Sequence, residues 1–160
     1  MSKQEKHLSN LKYRLPKIRL CLVHERNHSD EMYIVRNPKD AAQFLEPLRH
    51  APEEHFVSLH LNSRHEVIGL HEVSHGTLSA SLVHPREVFK AAVLANSHSI
   101  LVCHNHPSGS RLSASREDID TTEQLLGAGK ILGISVLDHI ILSPVHEPFS
   151  VRENHPDLWN

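Results

Sequence analysis

The chain has 160 residues, 39 % hydrophobic and only 4 % aromatic, enough for one aliphatic core and little more. Lys and Arg number 17 against 19 Asp and Glu, a net charge of −2 with histidine neutral, so no strongly basic nucleic-acid footprint is present. No run approaches ~18 apolar residues, which argues against a membrane-spanning helix, and the opening MSKQEKHLSNLKYRLPK lacks the apolar centre of a signal peptide.

Residues 1–16 read as a polar arm closed by Pro16, and KIRLCLV (17–23) alternates as a strand does. A polar turn and a short strand, MYIV, follow. Asn37-Pro38 opens a helix with Ala41, Ala42, Phe44, Leu45 and Leu48 as its apolar stripe. Pro47 distorts its last turn and Ala51-Pro52 ends it. Two strand-like runs, 55–62 and 66–76, flank a hairpin loop at Ser63-Arg64-His65. Pro85 starts the helix PREVFKAAVLANS, and SILVC (99–103) is short and apolar, as a buried strand is. HNHPSGSRLSA (104–114) reads as a loop. Ser115 caps REDIDTTEQLLGAGKIL, Gly133 ends it, ISVLDHIIL (134–142) is a last strand, and the tail after Pro144 reads as irregular. The glycines of LLGAGKILG fall within or at the end of a helix, so they make no phosphate-cradling loop. The pattern predicts an α/β (α+β) fold. Residues 1–37 form an arm with short strands, and 38–160 form the main domain.

Histidine is the outlier in composition, 16 of 160. Half-protonating those rings near pH ~6.5 would carry the net charge to about +6. His104 and His106 are two apart after a strand, so their side chains share a side and can meet one metal ion. Asp118, in the first turn of the following helix, can add a carboxylate, a set that suits catalytic zinc with a position left for water. Two plainer readings stand beside this. An H-x-H pair arises easily among so many histidines, and Ser115 to Asp118 can be simply a helix cap. His71 and His75 are the other pair considered for an ion, without a carboxylate pattern to support them. Asp138-His139 reads as a buried hydrogen-bonded pair or as support for a site, and Cys103, facing away from the ligand side, as a core residue. With Cys21 it makes no disulfide framework, in keeping with a reducing cytoplasm.

The segments EHFVSLHLN, GTL, VHPREVFKAA, HNHPSG, SREDI and LLGAGKILGISVLDHIIL are specific as a set. Through them residues 54–143 resemble the RadC-type branch of the JAB/MPN (JAMM) metallopeptidases. The resemblance implies a mixed sheet flanked by helices, like that of cytidine deaminases. It implies Zn2+ held by His104, His106 and Asp118, with Ser115 holding an oxyanion and Glu54 accepting the proton of attacking water. The family spacing puts seven residues between H-x-H and the serine, whereas eight, Pro107 to Ala114, stand here. A strict count of seven would select Ala114 and Glu117, but the SREDI string favours Ser115 and Asp118. The implied activity is zinc-dependent hydrolysis of amide or isopeptide bonds in a peptide or protein substrate. Two alternatives are a nucleic-acid-associated role, through the old link of the RadC name to DNA repair, and a metal-stabilised interaction module without turnover. The first ~50 residues carry no helix-hairpin-helix signature, and the near-neutral charge disfavours phosphate binding.

Overall fold

Proline and cap chemistry shape the beginning of the computed structural model, which describes residues 32–76, 83–109 and 113–160. The arm, the strand expected at 17–23 and Cys21 lie outside the described residues. Of the expected strand MYIV only one bridge forms, Ile34 to Glu66. Asn37 caps α1 (Pro38–Phe44) by accepting from the Asp40 N–H at 3.0 Å. The helix breaks at Leu45 and restarts as α2 (Glu46–Arg49), because Pro47 has no N–H to offer and its ring crowds the preceding turn.

The sheet is built from β1 (His55–Leu61), β2 (Val67–His75), β3 (Ser99–Asn105), β4 (Ser135–Leu142) and β5 (Phe149–Ser150). Its order is β2-β1-β3-β4-β5, with β3 and β4 parallel and the other pairs antiparallel. β1 and β2 form the expected hairpin. β3 does not stop at Cys103. His104 and Asn105 pair with Ile141 and Leu142 of β4, and His104 also with Phe56 of β1, so the strand runs two residues further.

The helix α3 (Pro85–Leu94) is capped by His84, whose Nδ1 accepts from the Arg86 N–H at 3.0 Å. It ends before the expected Ala-Asn-Ser because Asn96 turns to φ 54°. α4 (Arg116–Leu132) has the predicted bounds, with Ser115 at one end and Gly133, left-handed at φ 69°, at the other. Gly129 lets α4 close on the sheet: a Cβ there would stand 2.5 Å from the Ile134 carbonyl.

Helices cover both faces. On one, Ala41, Ala42 and Leu45 of the α1 side pack on Val57, Leu59, Leu61, Leu101, Cys103, Ile140 and Leu142. On the other, Val88, Phe89 and Ala92 of α3 and Leu125 of α4 pack on Phe56, Ile100, Val102 and Val136. This is the mixed sheet flanked by helices that the resemblance implied. The tail after Pro144 is not irregular: β5, α5 (Val151–Asn154) and a 3-10 turn (Pro156–Trp159) follow. Asp138 holds it there, accepting from Ser150 Oγ at 2.6 Å and the Arg152 N–H at 3.0 Å, while the Trp159 indole donates to the Val136 carbonyl. Burial raises the Asp138 carboxyl, and those hydrogen bonds oppose the rise.

Candidate metal centre

The end of β3 and the first turn of α4 meet at the carboxyl end of the parallel pair. β3 delivers His104 while still paired on both sides. His106 lies just beyond, its N–H bonded to the Leu142 carbonyl at 2.8 Å and its carbonyl closing a turn to Gly109. The first turn of α4 then brings Asp118 opposite. His104 Nε2 is 2.9 Å from His106 Nε2 and 3.3 Å from Asp118 Oδ1. These donor atoms all lie within 4.8 Å of one another.

The surroundings of each donor leave a lone pair for an ion. Asp118 Oδ2 accepts from the Ser115 N–H at 2.8 Å and from Ser115 Oγ at 2.7 Å, while the Asp118 N–H returns to Ser115 Oγ at 3.1 Å. The capping box thus uses one carboxylate oxygen and leaves Oδ1 facing the histidines. Helix cap and ligand are therefore compatible readings of Asp118. His104 stacks parallel to Phe56 at 6.1 Å, and its Nδ1 meets His139 Nε2 at 2.8 Å. Burial pushes the His104 ring down to about 4. Asp118 opposes that shift and His106 adds to it, so the ring is neutral at pH 7 and offers a lone pair. Two atoms each 2.0–2.1 Å from one tetrahedral ion stand about 3.3 Å apart. The spacings here, and the facing of two buried acceptors, Oδ1 and Nε2, fit a divalent cation.

A cleft of about 250 Å³ opens over the triad. Glu54, Phe56, Ser74, Ser115 and Glu117 help to line it. Glu54 is exposed at its wall. The segment carrying Glu54 is pinned by Asn105, the middle residue of H-N-H, which is fully buried. Its Oδ1 accepts from the His55 N–H at 2.8 Å and its Nδ2 donates to the Glu53 carbonyl at 2.9 Å, one residue either side of Glu54. Among the described residues lining the cleft there is no lysine or arginine.

The predicted residues His104, His106, Ser115, Asp118 and Glu54 therefore share one cleft. His71 and His75 do not pair: His75 meets Glu53 at 2.7 Å, and His71 faces His60. Among the described residues only His104, His106 and Asp118 group as metal ligands. Cys103 is fully buried in the aliphatic face, where burial pushes its thiol well up, as expected of a core residue. Asp138 and His139 are the expected buried, hydrogen-bonded pair, the His139 backbone N–H donating to Asp138 Oδ1 at 2.7 Å; Asp138 also anchors the tail, and the His139 ring touches the candidate ligand His104. Thr122, which bonds His139, carries no signal in the sequence beyond its helical position.

Comparison with known proteins gives the family. Residues 35–156 match the family model described as RadC-like JAB domain. The chain is 45 % identical over 121 residues to a UPF0758 protein of Geobacillus thermodenitrificans, a match that takes in 75 % of this chain and 53 % of the relative. It is 47 % identical over 122 residues to one of Bacillus cereus, covering 76 % and 53 %. With one of Staphylococcus haemolyticus it shares 44 % over 132 residues, 82 % and 58 %. The chain thus spans about half the length of the curated relatives it matches. No helix among the described residues is long and apolar enough to cross a membrane.

Proposed function

The chain belongs to the RadC-like JAB domain family, and on that premise we propose that it is a zinc-dependent hydrolase of amide or isopeptide bonds. The observation that carries the reading is the convergence of two imidazoles and one carboxylate, His104, His106 and Asp118, in a cleft that also holds the carboxylate of Glu54. Zinc bound there would lower the pKa of water to about 7 and polarise a carbonyl oxygen.

The protein's own groups supply the rest. Glu54 takes the proton of the attacking water and returns it to the leaving amine, the role of a general base that becomes the acid. Asn105, fixing the backbone on both sides of Glu54, limits how far that carboxylate can wander. Ser115 has one hydroxyl hydrogen, committed to Asp118 in the resting site. To stabilise the oxyanion it swings that hydrogen to the substrate, and its backbone N–H keeps Asp118 in place. A peptide or protein substrate suits a cleft with Phe56 and Val83 in its wall. A phosphate backbone does not, because the carboxylates of Glu54, Glu117 and Asp118 would repel it.

The test is Glu54→Gln assayed on a panel of peptide and isopeptide substrates. The variant should keep its zinc and lose turnover by about 100-fold or more. Unchanged turnover rejects Glu54 as the base. A wild-type protein that holds zinc but cleaves nothing in the panel would favour the interaction module instead.

A further inference from the structure

A chain of three hydrogen bonds runs from the backbone of α4 to the ligand His104. Thr122 Oγ1 lies 2.6 Å from the Asp118 carbonyl and 2.7 Å from His139 Nδ1, and His139 Nε2 lies 2.8 Å from His104 Nδ1. Thr122 and His139 are both fully buried. The direction of every link follows from its first. A carbonyl oxygen only accepts, so the single hydroxyl hydrogen of Thr122 goes to Asp118. Thr122 Oγ1 can then only accept from His139, which places a hydrogen on His139 Nδ1. The His139 ring is fully buried and meets a hydroxyl and an imidazole, with no carboxylate on either ring nitrogen to pair a cation, so it carries one ring hydrogen. Its Nε2 is therefore a bare lone pair and must accept from His104 Nδ1–H. With the His104 hydrogen committed to His139 at Nδ1, the nitrogen open to an ion is Nε2, the atom that faces His106 and Asp118.

We infer that Thr122 and His139 are positioning residues that lock His104 into its Nδ1–H tautomer and so aim the Nε2 lone pair at the metal. The inference rests on the proposed metal site. The relay starts from the backbone of Asp118, so α4 sets two ligands at once: one through its own side chain, the other through the hydrogen-bond direction it imposes across the sheet. Losing the Thr122 hydroxyl frees His139 to carry its hydrogen on Nε2. That hydrogen would point at His104 Nδ1 and shift the His104 hydrogen to Nε2, where it blocks coordination.

Two measurements on the full chain test this without any assay of turnover. In the metal-free wild type at pH about 7.5, the ring-nitrogen NMR shifts of His104 should show Nδ1 protonated and Nε2 bare. Competition for Zn2+ with a chromophoric chelator should then show affinity reduced about 10–100-fold in His139→Leu and in Thr122→Val. Thr122→Ser, which keeps the hydroxyl, should stay within about threefold of wild type. Thr122→Val changes little volume, so it keeps the test open if His139→Leu does not fold. An Nε2-protonated His104 in the wild type, or zinc affinity unchanged in Thr122→Val, overturns the relay. A wild type that binds no Zn2+ overturns the metal-site reading beneath it, and the NMR tautomer then still reports on the relay alone.

Discussion

The two faces of the sheet are both covered by helices but specified in different ways. The face under α1 is aliphatic: Leu59, Leu61, Ile140 and Leu142 are fully buried there, with Cys103 as a small filler. The face under α3 and α4 mixes Phe56, Ile100 and Val102 with His60, His104, His139, Asp118 and Thr122. Shape and volume suffice for the first. The second also needs a partner for every polar atom, because a buried unpaired group costs about 1–3 kcal/mol. At the α4 end those needs are met by the relay and the capping box. Elsewhere on this face they are not: Ser58 Oγ, Ser74 Oγ in the cleft wall, His60 Nε2 and His71 Nδ1 are buried without a hydrogen-bond partner. The relay and the capping box leave Oδ1 of Asp118 and Nε2 of His104 facing each other in the cleft.

If the contrast is right, the faces separate in their responses. Leu59→Ala should lower stability most, by about 2–5 kcal/mol in urea unfolding of the metal-free protein, with zinc affinity unchanged. A large loss of affinity from this substitution would break the comparison.

The next effect is acid sensitivity from His60. Its ring is pushed down to about 4, first by burial and then by His71; Ser97 Oγ contacts its Nδ1, and Lys90 and Glu87 of α3 act on His71 beside it. A depressed histidine stabilises the fold above its unfolded value near 6.5, and the contribution is lost as pH falls towards the folded value. Stability should drop by about 2 kcal/mol from this ring between pH ~7.5 and ~5. His60→Phe should remove that part of the pH dependence, and an unchanged slope would show that His60 is not the sensitive group. The smallest effect is Ser115→Ala, which removes the N-cap of α4 and should cost about 1 kcal/mol in thermal unfolding. Zinc binding should weaken with it, since Asp118 Oδ2 loses its hydroxyl donor.

What the sequence revealed follows the same division. α4 is legible to the residue because Ser115 and Gly133 are local signals with local causes. The helix break before Glu46 is legible in Pro47, and the pairing of His104 with His106 in two-residue alternation. The choice of Asp118 as a candidate ligand turns on two possible loop lengths; the SREDI string selects it, and Asp118 lies with His104 and His106. The sequence offers His139 as support for a site but not its partners, which stand 35 and 17 residues away, at His104 and Thr122. No periodicity records such a contact. The order of the tail is hidden for the same reason: Asp138 reaches Ser150 and Arg152 by side-chain hydrogen bonds that composition does not announce. The histidine excess makes H-x-H weak when taken alone.

The most direct test of the metal centre is the metal content of untagged protein, paired with anomalous scattering from its crystals. About one zinc per chain is expected, located between His104, His106 and Asp118, and absent from the His104→Ala/His106→Ala double variant. Equal zinc in that variant, or a peak elsewhere in the molecule, would contradict it.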